Sequence, residues 1–539
     1  MAAAEGNKRW RTDGKFFRSG NARVWLRAVT YGPFPGGWPA SFDRDFQRIS
    51  AAGFNSVRLF EMPDRRLLDA AGSHGLQVFG GLMWGQNADF FAEPGLLSAA
   101  RVGLVAALRQ TADHPALAGV YVGNEIPPDL VRRMGPLRVR IAVEELIALG
   151  RETAPDVLFG YANFPTTEYL EPENADFSAF NVYLENAAAF RKYLKRLHHI
   201  AGDRPLVISE FGLDSRRNGL AQQAEVLKWA LEISREEETA GFTIYAWSDC
   251  WWNGGAEVLD WDFGLTDRQG NDKPALAVVS QLTHHQSSGK LGFSVIICTR
   301  NGRERIGACL EALRKLAGER PETIVVDDGS TDGTADFTEA NFPWLRVIRL
   351  PPSGLSAARN AGAAAASGEI LAFTDDDCEP DKEWLIRLQR VFADGRFAAA
   401  GGPNLPPRPR TWEQAVVCAA SGSPSHVMLD DEEAEHLPGC NLAVRKSAFE
   451  AIGGFDPQFH TAGDDVDFCW RLRSAGHRLG FAPGAFVWHW RRPSIRGFLR
   501  QQIGYGNAER LLIINTRTNS PNTAARNGRA LSMAADQCA

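Results

Sequence analysis

Ile370-Leu371-Ala372-Phe373-Thr374-Asp375-Asp376-Asp377 is a short apolar run that ends abruptly in three adjacent carboxylates. An apolar run of this length, stopped by polar residues, reads as a buried strand that opens onto a ligand loop. Three neighbouring carboxylates repel one another, so the placement costs stability unless a cation neutralises it. Oxygen donors suit Mg²⁺ or Mn²⁺, which are held through one or two carboxylates together with substrate phosphates. Taken alone, the run also fits a solvated acidic turn.

Outward from it, similar short strands are expected at 293–298, 323–327 and 347–350, with a helix from the first of them to about 317. That alternation predicts a nucleotide-binding α/β sheet with its ligand loops at the strand C-termini. Two further acidic clusters follow the same logic. Val325-Val326-Asp327-Asp328-Gly329-Ser330 sets carboxylates before a glycine turn, where they can meet the edge of a base or ribose; a plain polar turn is the other reading. Gly463-Asp464-Asp465-Val466-Asp467 precedes an amphipathic stretch, and Asp465 there suits a general base that takes a proton from an acceptor hydroxyl. Downstream, Trp488-His489-Trp490 offers an imidazole that could complete a metal site, although a lone His is more often structural.

The segment 283–292, THHQSSGKLG, is polar and small, and reads as a linker between domains at 1–282 and 293–511. A chain of 539 residues is too long for one typical core. Ahead of the linker, strands are expected at 24–31, 55–60, 76–84, 118–125, 157–164, 177–183, 206–211 and 242–247. Helical patterns fill most of the gaps, for example 99–112, 141–152 and 221–235. Eight strands alternating with helices predict a (β/α)8 barrel, with an open doubly wound sheet as the alternative. Asn124-Glu125 ends the fourth strand and Glu210 the seventh. In a barrel both ends open onto one face, and two facing carboxylates meet the demands of glycoside hydrolysis: one acid/base, one nucleophile.

Composition sets the outer limits. Hydrophobic residues make up 44% and charged residues 23%, as in a folded domain, and the net charge of −6 supplies no electrostatic pull toward nucleic acid. The 15 Trp suit sugar platforms or ordinary core. The eight cysteines form no CxxC pair and read as reduced core residues of a cytoplasmic protein. MAAAEGNKRWR lacks a signal peptide's apolar segment, and no apolar run approaches the roughly 20 residues of a membrane span. The expectation is a soluble chain without an integral membrane segment, cytoplasmic, and at most peripheral to the inner face of the membrane. From 512 to 539 large apolar residues thin out, so a disordered tail, or the scar of a truncated or frame-shifted reading frame, is expected.

With these motifs in order, residues 293–510 resemble a family 2 glycosyltransferase of the GT-A fold. Phe293-Ser294-Val295-Ile296-Ile297-Cys298-Thr299-Arg300-Asn301 resembles that family's first strand and nucleotide loop, and Val326-Asp327-Asp328-Gly329-Ser330 its uridine-binding segment. The resemblance gives Asp328 the base contact. Gly354-Leu355-Ser356-Ala357-Ala358-Arg359-Asn360-Ala361-Gly362 matches a donor-site segment, placing Arg359 at the donor. Asp375 and Asp377 match the metal-binding DxD, with His489 as a further ligand of Mg²⁺ or Mn²⁺. Gly463-Asp464-Asp465 stands where the family has Gly-Glu-Asp, which makes Asp465 the implied base, and Gly439-Cys440-Asn441 falls at an acceptor-side motif, which brings in Asn441. The resemblance implies inverting transfer from a nucleotide-diphospho-sugar, UDP-linked by the uridine motif, to an oligo- or polysaccharide acceptor. The Gly-rich loop of nucleotidyltransferases and the QxxRW of processive synthases are both missing, which favours a non-processive enzyme.

Residues 15–280 resemble the clan A glycoside hydrolases near families 2 and 5. That resemblance assigns Asn124 to the sugar 2-hydroxyl, Glu125 to acid/base and Glu210 to nucleophile. It also gives Arg58 the steadying of the nucleophile, Tyr183 a hydroxyl beside it and Trp247 a stacking platform, while Trp84 and Trp251-Trp252 extend the sugar surface. The combined expectation is two enzymes acting on one glycan, the first by hydrolysis or transglycosylation. The alternative keeps the transferase and makes the barrel an inactive carbohydrate-binding scaffold.

Overall fold

Eight parallel strands close on one another in the first unit: Leu26–Thr30, Ser56–Arg58, Gln77–Gly81, Leu117–Asn124, Leu158–Asn163, Ser178–Asn181, Leu206–Phe211 and Gly241–Ile244. The last pairs with the first, Gly241 opposite Leu26, so the sheet is a barrel and the open-sheet alternative is excluded. This computed structural model describes residues 9–281, 291–393, 395–420 and 425–519. The barrel strands are buried almost throughout, which is why they read as continuous apolar runs rather than alternating ones. A three-stranded antiparallel sheet, Trp10–Asp13, Phe16–Ser19 and Ala22–Val24, precedes them. Phe17 packs edge-on against Phe177, which stands just before the sixth strand. The plug therefore closes the N-terminal end of the barrel.

Register breaks mark the functional end. The seventh strand shifts register against both neighbours around Glu210, and the fourth shifts against the fifth between Tyr121 and Asn124. Such irregularities re-aim side chains at strand ends. Glu125 also holds φ at 48°, a left-handed conformation that costs a non-glycine residue of order 1–3 kcal/mol and persists where the surroundings enforce it.

The second unit begins within the expected linker, the chain dividing at His285. Its seven-stranded sheet runs Arg346–Leu350, Glu322–Asp328, Phe293–Thr299, Ile370–Asp375, Leu442–Arg445, Ala399–Gly401, Leu479–Phe481. The first four are parallel, so Thr299, Asp328 and Asp375 end on one edge, while Leu442–Arg445 is antiparallel to both its neighbours. Apolar clusters cover the two faces, around Val295, Ile297 and Trp384 on one and Ile296, Phe373 and Phe468 on the other. A small sheet of Cys378–Pro380, Val487–His489 and Asn404–Leu405 hangs beyond this edge and sets His489 opposite Cys378.

One boundary moves. The helix Ile495–Asn519 runs through 511, so the expected domain end lies inside a helix. The sparse apolar ladder of its last turns hid it from the periodicity. Residues 520–539, and most of the expected linker, lie outside the described residues. Among the described residues no helix is long and apolar enough to cross a membrane, and the seven described cysteines are free.

Candidate active sites

In the barrel, closure brings the fourth, sixth and seventh strand ends together around one amide. Asn181 Nδ2 lies 2.9 Å from Glu125 Oε1, 2.8 Å from Glu210 Oε1 and 3.1 Å from Asn124 Oδ1, while its Oδ1 accepts from Ser209 Oγ at 2.7 Å. Two amide protons shared among three acceptors hold both glutamates and Asn124 in one network. Burial and the charge of Glu210 both push the Glu125 carboxyl up, against the opposing pull of Asn181 and Arg58. Arg58, 1% exposed, donates to Glu210 Oε1, to the Ser209 carbonyl at 3.0 Å and to Asn124 Oδ1 at 2.7 Å. Tyr183 Oη donates to Glu210 Oε2 at 2.8 Å, although the residue as a whole is 40% exposed. Gln86 clamps the Asn124 backbone from both sides, at 2.7 and 3.0 Å.

Five of the six expected barrel residues thus converge, and Trp247 does not. Its ring is 2% exposed, packs into the core and lies 5.2 Å under the Arg48 guanidinium. The expected platform is therefore core. Tyr245, two residues earlier, lies nearer the glutamates but is also buried, with its ring 6.3 Å from Tyr183 and 4.8 Å from Trp251. Trp84 is tied back through its Nε1 to the Val122 carbonyl, whereas Trp252 is exposed.

In the second unit the three aspartates divide their work. Asp376 accepts from Thr299 Oγ1 at 2.7 Å and from Arg305 Nη2 at 2.9 Å, so it ties the strand ends together. Gly302 lets it approach, since a β-carbon there would collide with both Asp376 Oδ2 and Thr299 Oγ1. That leaves Asp375 and Asp377, the pair expected from the motif. Asp377 Oδ1 stands 3.5 Å from His489 Nε2, with Arg492 3.6 Å from its other oxygen. Burial pushes the Asp377 carboxyl up, but His489 and the two nearby arginines outweigh it and the net shift is down. Asp375 ends the strand and Asp377 follows beside His489; carboxylate oxygens of this kind suit Mg²⁺ or Mn²⁺.

Around this edge the other expected residues are placed with less freedom. Asp328 is buried, and its oxygens accept from Ser353 N at 2.6 Å and Gly354 N at 3.0 Å, holding the loop that leads into the helix Leu355–Ala365. Arg359, on that helix and 3% exposed, bridges Asp464 and Asp375, the latter at 3.1 Å, instead of reaching outward to the donor. Gly439 passes so close to its guanidinium that a β-carbon would clash. Burial lifts the Asp464 carboxyl to about 6 in spite of Arg359. Asp465 is half-buried on the first turn of the helix Asp464–Ser474, and its oxygens accept from Gly439 N at 2.8 Å and Val466 N at 2.9 Å. Asn441 is wholly buried; it accepts from Trp384 Nε1 at 2.8 Å and donates to the Pro403 and Ala485 carbonyls. It anchors the loop, so its expected acceptor role falls.

Residues that the sequence reading missed are Asn181, Gln86 and Tyr245 in the barrel and Asp464 and Arg305 in the second unit. Asn181 and Tyr183 flank one residue at the sixth strand end, and that polar pair was the available signal. Tyr245 stands two positions before Trp247, and nothing in the local sequence separates the two.

The second unit, whose sheet ends a strand in Asp375, is a glycosyltransferase domain by its family profile and relatives. Residues 294–453 match the profile of Glycosyl transferase family 2. The "Pre-mycofactocin glycosyltransferase" of Mycobacterium tuberculosis is 32% identical over 226 residues, covering 40% of this chain and 46% of that protein. "Glycosyltransferase AglE" of Haloferax volcanii is 31% identical over 226 residues, covering 40% of this chain and 72% of that protein. Through this unit the chain belongs to the family 2 glycosyltransferases. It spans about half the length of the first of these relatives. A solved β-glucuronidase from Ruminococcus gnavus aligns with 50% of this chain and 51% of its own, at 17% identity and a TM-score of 0.45.

Proposed function

We propose that the second unit transfers a glycosyl group from a nucleotide-diphospho-sugar, UDP-linked in the first instance, to a hydroxyl of a glycan acceptor with inversion. The observation that carries this reading is the Asp377–His489 pair just past the strand that ends in Asp375, with Arg359 tying Asp375 to Asp464, the neighbour of Asp465. A divalent ion there would neutralise charge developing on the leaving diphosphate. Asp377 and His489 hold the ligating end of the site, and Arg359 keeps Asp375 and Asp464 in fixed relation. Asp465 is the base, its carboxylate aimed by Gly439 N to take the acceptor proton.

The barrel's chemistry is retaining in this reading. One nitrogen sits 2.9 Å from Glu125 Oε1 and 2.8 Å from Glu210 Oε1, so the two oxygens lie within about 5.7 Å, the sum of those distances, which suits the roughly 5–5.5 Å of a retaining pair. Glu210, paired with Arg58, is the nucleophile, and Glu125, pushed up by burial, is the acid that protonates the leaving oxygen. Asn124 spends its carbonyl oxygen on Arg58 and Asn181, which leaves its amide as a donor for the sugar 2-hydroxyl. An inactive scaffold has no use for an arginine held on one glutamate and an amide shared by two. Aryl glycosides are the test: Glu210→Gln abolishes their turnover here, and unchanged turnover returns the barrel to a binding role.

The site of action we propose is the cytoplasm, peripheral to the membrane. Leu499 and Ile503, one turn apart on the helix Ile495–Asn519, are 56% and 68% exposed beside Arg496 and Arg500, and Trp412 is 71% exposed on a helix that packs against it. Apolar side chains between arginines suit an anionic lipid surface.

A further inference from the structure

Directly behind the metal-ligating edge, His489 also borders two thiols that the transfer chemistry does not use. Cys378, Cys440 and His489 are all buried, and one ligand atom from each lies within 4.8 Å of the others. The backbone fixes all three. Cys378 and His489 are paired residues of one antiparallel ladder. Cys440 sits between Gly439, whose N–H is bound to Asp465, and Asn441, which is anchored on three sides. Asn404 Nδ2 donates to Cys440 Sγ at 3.4 Å, and Cys378 Sγ is 3.9 Å from Asp377 Oδ1. Buried cysteines often serve only as small core residues, and both thiols do touch the apolar cluster on this face of the sheet. A core role does not explain the imidazole gathered with the two thiols, and Asp377 Oδ1 stands 3.9 Å from Cys378 Sγ and 3.5 Å from His489 Nε2.

We propose that Cys378, Cys440 and His489, with Asp377 as fourth donor, bind a thiophilic divalent ion, Zn²⁺ first among them, beside the diphosphate pocket. Two sulfurs, a nitrogen and an oxygen are a tetrahedral Zn²⁺ donor set, and softness separates it from the oxygen-rich edge that suits Mg²⁺ or Mn²⁺. Tetrahedral bonds of about 2.3 Å to sulfur and about 2.0 Å to nitrogen place such donors roughly 3.5–4 Å apart, a small contraction of the present cluster. Each thiol loses its proton to solvent as its sulfur bonds the ion, so binding releases protons and no electron moves. The ion would take His489 and Asp377 away from the diphosphate metal. Only this inhibitory consequence rests on the transferase reading above; binding stands without it.

The test uses the full chain, reduced and stripped of metal, titrated with Co²⁺ as the spectroscopic probe. The expected result is a thiolate-to-cobalt charge-transfer band that saturates at one equivalent, is removed by Zn²⁺ and withstands Mg²⁺. Cys378→Ser and Cys440→Ser each lose the band, and a Cys250→Ser/Cys418→Ser control keeps it. Zinc X-ray absorption on the wild type needs no variant and shows sulfur in the first shell at about 2.3 Å. A shell of nitrogen and oxygen only, or a band that survives both serine variants, overturns the site and leaves the thiols as core residues. One equivalent of Zn²⁺ should also abolish Mn²⁺-dependent nucleotide binding in the wild type and spare it in Cys440→Ser. Unchanged nucleotide binding with the cobalt band present overturns the inhibition. Absence of Mn²⁺-dependent nucleotide binding before any Zn²⁺ is added strikes the transferase reading and leaves the band untouched.

Discussion

Replacing Arg359 with methionine keeps most of the side-chain volume and removes the one cation between Asp464 and Asp375. Asp464, 2% exposed, then stands as a buried carboxylate without a counter-charge, whereas Asp375, with a third of its side chain exposed, keeps solvent. Breaking a buried pair from one side costs about 3–5 kcal/mol, a large share of the roughly 5–15 kcal/mol that holds a domain folded. A domain of this size loses roughly 2–4 °C per kcal/mol, so the second unit's melting transition should fall by roughly 6–20 °C. The pH dependence separates this cause from simple loss of packing. The folded Asp464 carboxyl is raised to about 6, above its unfolded value of about 3.9. Its contribution to stability is therefore complete below the unfolded value and lost as pH rises through the folded one. Without Arg359 the folded value climbs further, so the loss reaches across neutral pH. Calorimetry should show a larger deficit for Arg359→Met at pH 8 than at pH 5, and adding Asp464→Asn should recover much of it. Equal deficits at both pH values, or no recovery in the double variant, would refute the argument.

Three further outcomes follow from the geometry. Because burial and Glu210 raise the Glu125 carboxyl, kcat/KM for aryl glycosides should hold up past the ordinary glutamate range near 4.3 and fall on a limb at higher pH; a limb at or below that range contradicts the assignment. Asn441→Ala strips partners from Trp384 Nε1 and two buried carbonyls, so denaturant unfolding should show a loss of about 2–4 kcal/mol with acceptor KM unchanged in the enzyme that remains folded. Leu499→Ser/Ile503→Ser should release the chain from anionic vesicles in co-sedimentation, and equal pelleting by wild type and variant removes the peripheral placement.

Much of the fold was legible because its signals are local. Eight apolar runs separated by helical stretches favour a barrel over an open sheet, and the pairing of Gly241 with Leu26 decides it. Glu125, Glu210 and the Asp375–Asp377 pair stood out because acids ending buried strands have few structural uses. What stayed hidden depends on closure. Asn181 becomes the hub only when the sixth strand lies between the fifth and the seventh and presents its end to Glu125. Tyr245 and Trp247 are both aromatic and two residues apart, and the path of the chain past the eighth strand decides which one faces the glutamates. Asp376 resembles its neighbours in sequence, and Thr299 and Arg305, both more than seventy positions away, make it structural. Asn441 sits in the expected motif, but three partners from distant segments occupy its amide.

The central claim is that Asp377 and Asp465 serve one transfer reaction in different ways. Nucleoside diphosphate release should be followed over a panel of nucleotide-diphospho-sugars and oligosaccharide acceptors, with and without Mn²⁺, in the wild type, Asp377→Ala and Asp465→Asn. The account predicts release that needs both acceptor and divalent ion and is lost in both variants, with Mn²⁺-dependent nucleotide binding weakened in Asp377→Ala alone. Undiminished turnover in Asp465→Asn, or full turnover without a divalent ion, would contradict it.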